Sequence, residues 1–455
     1  MALPMPALLP RALACVALAA AVHQAVPGPD ALRAGLALFT LIGALWMTQA
    51  LHLSVTALLV PLLAVAAGLM DLRTALASFA HPIIFLFLGG FALAAALQRQ
   101  GLDRALAHAV LRLANGRRAR AVGLLFGLTA LLSMWISNTA TAAMVLPMAL
   151  GLLSDSEDHE ADTPGGMGPR ERVFVLLGVA YSASIGGIGT LVGSPPNAIA
   201  AAQAGIGFAD WMRLGIPMVA LLMPLMVGVL YLVLRPQLGG RLVLQAEAFA
   251  WTPARRTTLA IFALTAAGWI GSAPLGQALG ITTDLDSWIA MAALVALVAS
   301  RCLDWDTVER QTHWGVLLLF GGGLALSQVM QVSGASAFMA DALVNAVQGA
   351  PALWVLLGVI AFVVFLTELV SNTASAALMI PIFMGVGPAL GLSGPLLAAA
   401  IAVSASCAFM LPVATPPNAI VFATQLVPQG AMMRCGLVLN LVCIGAIALV
   451  AEGVF

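Results

Sequence analysis

The sequence predicts an all-α polytopic membrane protein built as an inverted repeat. Three observations predict it: an apolar composition, a series of apolar runs of membrane length, and three motifs that recur in the same order.

Of 455 residues, 62% are hydrophobic and 8% are charged, against about 25% charged in an ordinary soluble domain. A mean hydropathy of +1.04 is more than one water-soluble core can hide, so lipid is the implied solvent. Lys plus Arg and Asp plus Glu balance at 19 each, which leaves no overall field to favour nucleic acid. The five cysteines, at 15, 302, 407, 435 and 443, have neither metal-site nor disulfide spacing and read as small packing residues.

Apolar runs fall at 10–27, 32–49, 53–70, 82–98, 121–151, 172–208, 213–234, 257–272, 285–300, 314–332, 351–391, 396–428 and 433–451. Most approach the ~20 residues that cross roughly 30 Å of hydrocarbon. The first has some features of a secretory leader, but spans follow at once, so it reads as a spanning helix. The runs 121–151, 351–391 and 396–428 are too long for one crossing and carry polar breaks. The run 172–208 has the same character, with a Gly-rich turn before Pro195 and Pro196. Such breaks persist at membrane depth only where protein or a wet cavity shields the backbone. The one long polar linker, 155–172, reads as an exposed loop with a solvated acidic run.

The repeat is specific. SNTATAAMVLP at 137–147 returns as SNTASAALMIP at 371–381, identical at seven of eleven positions. Before it, GGFALAAALQRQG at 89–101 is echoed by GGLALSQVMQVSG at 322–334; after it, GSPPNAI at 193–199 is echoed by ATPPNAI at 414–420. The first GG echo leads into Arg99, Arg104, Arg112, Arg117, Arg118 and Arg120, whereas 332–350 holds no Lys or Arg. The positive-inside rule puts those two ends on opposite faces, so the halves are inverted, as in secondary transporters with a midplane site. Parity then requires eleven transmembrane helices and two re-entrant hairpins tipped by Ser-Asn-Thr, with the N-terminus cytoplasmic.

The chemistry concentrates at the breaks. A half-helix N-terminus leaves N–H groups that favour an anion, and a preceding C-terminus exposes carbonyls that suit a hard cation. Ser133 lies four residues before Ser137, and Thr367 four before Ser371; an i,i+4 pair shares one helix face, so each hairpin is expected to present two hydroxyls together near its tip. The double prolines break the ladder, freeing carbonyls at Gly193 and Ala414, with Ser194 and Thr415 offering hydroxyls and Asn197 and Asn418 bracing the break. No Arg, Lys or His stands in these segments, so an anion must be met by amides, hydroxyls, helix ends and co-bound cations. Glu368, beside the second tip, has Met134 as its counterpart; an intramembrane carboxylate is a candidate brace or tuner of selectivity. Gly89, Gly90 and Gly321 to Gly323 read as close helix packing. No metal cluster, nucleotide loop or activated nucleophile is visible, so the chain does not read as an enzyme and needs no cofactor beyond coupling ions.

On its paired SNT and PPN motifs the chain resembles the divalent anion–sodium symporter family across residues 30–451. That resemblance implies sodium-coupled uptake of a small dianion, a C4-dicarboxylate foremost, by an elevator-type homodimer in the cell inner membrane. It implies sodium ligands at Ser133, Ser137, Asn138 and Gly193, and at Thr367, Asn372 and Ala414. It implies substrate contacts at Asn138, Thr139, Ser194, Pro195, Asn372, Thr373, Thr415 and Pro416. In its terms, 1–120 and 235–350 are scaffold, and 121–234 and 351–455 are the halves of a mobile transport domain. A proton-coupled or exchange carrier for sulfate or another oxyanion, and an anion channel, are the alternatives.

Overall fold

The computed structural model describes residues 5–154, 168–239, 249–281, 283–346, 351–387 and 392–454. Among them there is no strand. The first half opens with α1 (Met5–Ala25) packed along α2 (Asp30–Thr48), then α3 (Leu53–Ala66), the short α4 (Leu72–Ala77), α5 (Pro82–Arg99) and α6 (Leu102–Arg112). The first hairpin is α7 (Arg118–Ser133) and α8 (Asn138–Ser154). It is followed by α9 (Pro169–Gly186), α10 (Pro195–Ala204) and α11 (Phe208–Leu234). The second half repeats this plan. Its outer helices are α12 (Pro253–Ile270), α13 (Ser272–Leu279), α14 (Leu285–Ala299), α15 (Trp305–Gln311), α16 (Trp314–Val332) and α17 (Ala335–Ala346). Then come the second hairpin, α18 (Ala352–Leu369) and α19 (Asn372–Val386), the broken pair α20 (Gly394–Ala405) and α21 (Pro416–Phe422), and α22 (Gln429–Val454).

Proline and short polar side chains set many of these boundaries. Pro opens α5, α9, α10, α12 and α21, where its missing N–H would have no helical partner anyway. Asp71, Thr252 and Asp304 cap α4, α12 and α15 through their side chains. Among the described residues, six helices are long and apolar enough to cross a membrane, or seven if α12 and α13, bent by 84°, form one span. Several shorter apolar helices are the half-helices of the breaks. The most enclosed candidate span begins at Pro169: 94% of its apolar window is buried, so α9 is a core helix and not a lipid-facing one.

The glycine echoes pack as the sequence implies. A Cβ on Gly89 would lie 2.4 Å from the Ala290 carbonyl of α14, and one on Gly322 would lie 2.6 Å from Ala57 of α3. The last glycine of each echo, Gly101 and Gly334, takes a left-handed φ of 66° and 76°. Each turns its long helix into a short one, α6 or α17. Those two helices, with α13 and α15, lie between the apolar runs marked in the sequence. They are too short to register as spans. The linker expected over 155–172 is also corrected: its end is helical from Pro169, because Pro at the first position starts α9 early. Its acidic run lies outside the described residues. All five cysteines are free and buried.

Candidate functional site

At the first tip α7 ends on Ser133 and α8 starts on Asn138. The Ser133 hydroxyl lies 2.7 Å from Asn138 Oδ1 and 2.6 Å from the Ala183 carbonyl of α9. A hydroxyl carries one proton, so it can satisfy only one of them. The same amide atom of Asn138 also stands 3.2 Å from the carbonyls of Ala183 and Gly193. With its nitrogen turned inward, Asn138 has two N–H donors to share among these three oxygens. With its oxygen inward, four oxygens crowd together short of protons, the setting a hard cation needs.

The second tip repeats the arrangement. Thr367 Oγ1 lies 2.8 Å from Asn372 Oδ1 and 2.9 Å from the Ala405 carbonyl of α20. Ser133 and Thr367 are fully buried; Asn138, Asn372 and Thr373 are half-buried, and Thr139 is exposed. One expectation is corrected. Ser137 and Ser371 do not pair with Ser133 and Thr367 on a helix face, because the helix has broken between them. Their hydroxyls instead accept from Ala140 N at 3.3 Å and Ala374 N at 3.2 Å, capping the helices that follow.

Pro195 and Pro416 each open a half-helix, α10 and α21. Asn197 holds the first break by donating to the carbonyls of Gly187 and Thr190, at 2.9 and 2.7 Å. Asn418 holds the second, donating to Ala408 and Leu411 at 3.1 Å each. Thr415 Oγ1 accepts from Asn418 N, while Ser194 Oγ lies 3.4 Å from Ser406 Oγ in the other half. Ala414 is buried, Pro416 exposed and Val413 85% exposed, so the second break has an open side that the first, around Ser194 and Pro195, lacks.

The halves interlock: α10 packs on α19 and α20, and α21 packs on α8 and α9. Short contacts run from Asn138 to Gly193, from Ser194 to Ser406, and from Ala405 through Thr367 to Asn372. The two SNT tips therefore belong to one constellation. Glu368 is buried and makes four bonds. Its carboxylate accepts from Phe409 N (2.7 Å), Met410 N (2.8 Å), Leu411 N (3.1 Å) and Asn440 Nδ2 (2.8 Å).

Sequence reasoning missed the carbonyls of Ala183 and Ala405, the tight Gly187, and the buried Tyr181 and Asn440. One signal was available: Ser-Ala-Ser stands at 182–184 and again at 404–406.

A family model described as citrate transporter matches residues 44–404. The chain belongs to the citrate transporter family. A curated relative named as an uncharacterized transporter of Haemophilus influenzae is 48% identical over 91% of this chain and 90% of its own. The sodium-dependent dicarboxylate transporter SdcS of Staphylococcus saprophyticus is 33% identical over 91% of this chain and 84% of its own. These matches bear out the likeness to divalent anion–sodium symporters. The fold is that of the Alcanivorax borkumensis YdaH transporter: TM-score 0.55, 15% identity, covering 83% of this chain and 86% of that one. The chain is thus an integral multi-pass membrane transporter.

Proposed function

We propose that this citrate-transporter-family member is a sodium-coupled symporter of a small dianion, with C4-dicarboxylates such as succinate, malate and fumarate as the preferred class. The observation that carries this reading is the matched pair of oxygen-lined clusters, Ser133–Asn138–Ala183–Gly193 and Thr367–Asn372–Ala405. Each lies where a half-helix begins, so each offers oxygens to a cation beside N–H donors for an anion. SdcS relatives, named as sodium-dependent dicarboxylate transporters, support the same assignment.

In this reading sodium binds first and fixes the Asn138 and Asn372 amides with their oxygens toward the ion. Ser137 and Ala414 complete the two sodium sites through their backbones. The dianion then lands on the amide nitrogens, the hydroxyls of Thr139, Thr373, Ser194 and Thr415, and the helix starts at Pro195 and Pro416. Glu368 braces the second break. The loaded segments 121–234 and 351–455 move as a unit against 1–120 and 235–350, within a homodimer in the inner membrane, with the N-terminus cytoplasmic. An uncompensated dianion in low dielectric would be prohibitively costly, which is why ion and substrate travel together.

A thermal-shift screen of the purified protein tests it, because a ligand that binds only the folded state raises its apparent stability. Succinate should stabilise in sodium and not in potassium. Equal shifts in both salts would reject sodium coupling, and a shift with sulfate alone would reject the dicarboxylate.

A further inference from the structure

Tyr181 is fully buried on α9, two residues before the Ala183 carbonyl of the first oxygen cluster. Its hydroxyl donates across the interface between halves to the Phe409 carbonyl at 2.7 Å, with the Met432 carbonyl farther off at 3.5 Å. Its ring stacks obliquely on Phe409, centroids 4.9 Å apart. Phe409 is the residue whose N–H Glu368 accepts, and it follows Ala408, whose carbonyl Asn418 holds. Gly436 of α22 presses on the same carbonyl, since a Cβ there would lie 2.3 Å away. So the second break has a pinned backbone, and Tyr181 pins it from the strand of helix that supplies the first cluster. The repeat gives Tyr181 no counterpart: the residue before the second Ser-Ala-Ser is Val403.

We propose that Tyr181 is a positioning residue that couples the two cation sites, so that an ion in one shapes the other. The proposal rests on the sodium reading above. Ion binding that draws Ala183 toward Asn138 also sets α9, and through the Tyr181 hydroxyl it sets the loop that follows Ala405. Two sites joined this way fill cooperatively, because the first ion orders backbone that the second then finds already placed.

The experiment is a sodium titration of succinate uptake in proteoliposomes, with wild type, Tyr181→Phe and Phe409→Leu side by side. Wild type should respond to sodium with a Hill coefficient above one. Tyr181→Phe keeps the ring and loses the bond; its Hill coefficient should fall to about one and its half-saturating sodium rise about fivefold, the scale of one neutral hydrogen bond. Uptake at saturating sodium should hardly change. Phe409→Leu removes the stacked ring and keeps the carbonyl, so its cooperativity should stay as in wild type. A wild-type Hill coefficient in Tyr181→Phe overturns the coupling role, and so does equal loss in both variants, which would mark packing alone. If Tyr181→Phe does not fold, loss of cooperativity in Phe409→Leu still overturns the role and its retention supports it. Wild-type uptake indifferent to sodium would instead remove the sodium reading, and this inference with it.

Discussion

The two broken-helix units share their oxygen clusters and differ in what holds each break. In the first, the backbone after α9 turns into a 3-10 segment, Gly187–Gly189, and Thr190 bonds the Met134 carbonyl. In the second, the N–H groups of Phe409, Met410 and Leu411 have no such turn and fall on the Glu368 carboxylate. Position 134 carries Met where position 368 carries Glu. On the proposed reading, the parts repeated in both halves are those a cation would touch, and the turn and the carboxylate that differ hold the backbone open. An inverted repeat can thus preserve its ligand geometry while each half solves its own unpaired-backbone problem.

The largest expected effects fall on what is shared. Asn138→Ala and Asn372→Ala should each cut sodium-driven succinate uptake by about 10- to 100-fold, the scale of losing a hydrogen bond to charge. Full activity in either would show that the halves do not share one site. Next comes a position where the halves disagree. Gly187 and Ala408 each stand ten residues before their PPN asparagine. A Cβ on Gly187 would lie 2.3 Å from Asn138 Oδ1, so Gly187→Ala should push that amide aside, lower uptake by less than either alanine variant and cost about 1–3 kcal/mol of stability. Ala408→Gly should leave uptake nearly intact; equal effects would erase the difference between the breaks.

Glu368→Gln should lower the melting temperature, because one of the four donors would face the new amide nitrogen; the loss should be about 1.5–3 kcal/mol. Met134→Leu, its counterpart, should cost less than about 1.5 kcal/mol. A sodium-independent uptake whose proton dependence vanished in Glu368→Gln would move the coupling from sodium to that carboxylate. The smallest effect lies at the charged end of the first half, where Arg99 pairs with Asp304. Hydrogen bonds from Thr307, then Arg99, lower the Asp304 carboxyl to about 2. Because the folded value is depressed, this contribution is present above the ordinary carboxylate range and disappears as pH falls toward 2. Asp304→Asn should flatten only that acid limb of the stability profile.

Much of the candidate site's geometry was legible because it is written in side chains used twice. SNT and PPN mark helix starts whose caps and prolines leave a sequence trace, and their repetition separates them from ordinary membrane kinks. The carbonyls of Ala183 and Ala405 were not legible, since a backbone oxygen has no residue type; only the repeated Ser-Ala-Ser hinted at them. Tyr181 and Asn440 act once, across the fold, so repetition could not flag them. Helices α6 and α17 escaped because their length falls below a span, and the glycines that turn into them look like packing glycines. The spacing of Ser133 and Ser137 misled because i,i+4 proximity assumes a continuous helix, and the break falls between them.

Counting bound sodium most directly tests whether each half holds its own ion. Radioactive sodium retained per protomer should be measured at saturating succinate for wild type, Asn138→Ala and Asn372→Ala. Each variant should retain one sodium fewer than wild type. The same count in all three would contradict the two-cluster account.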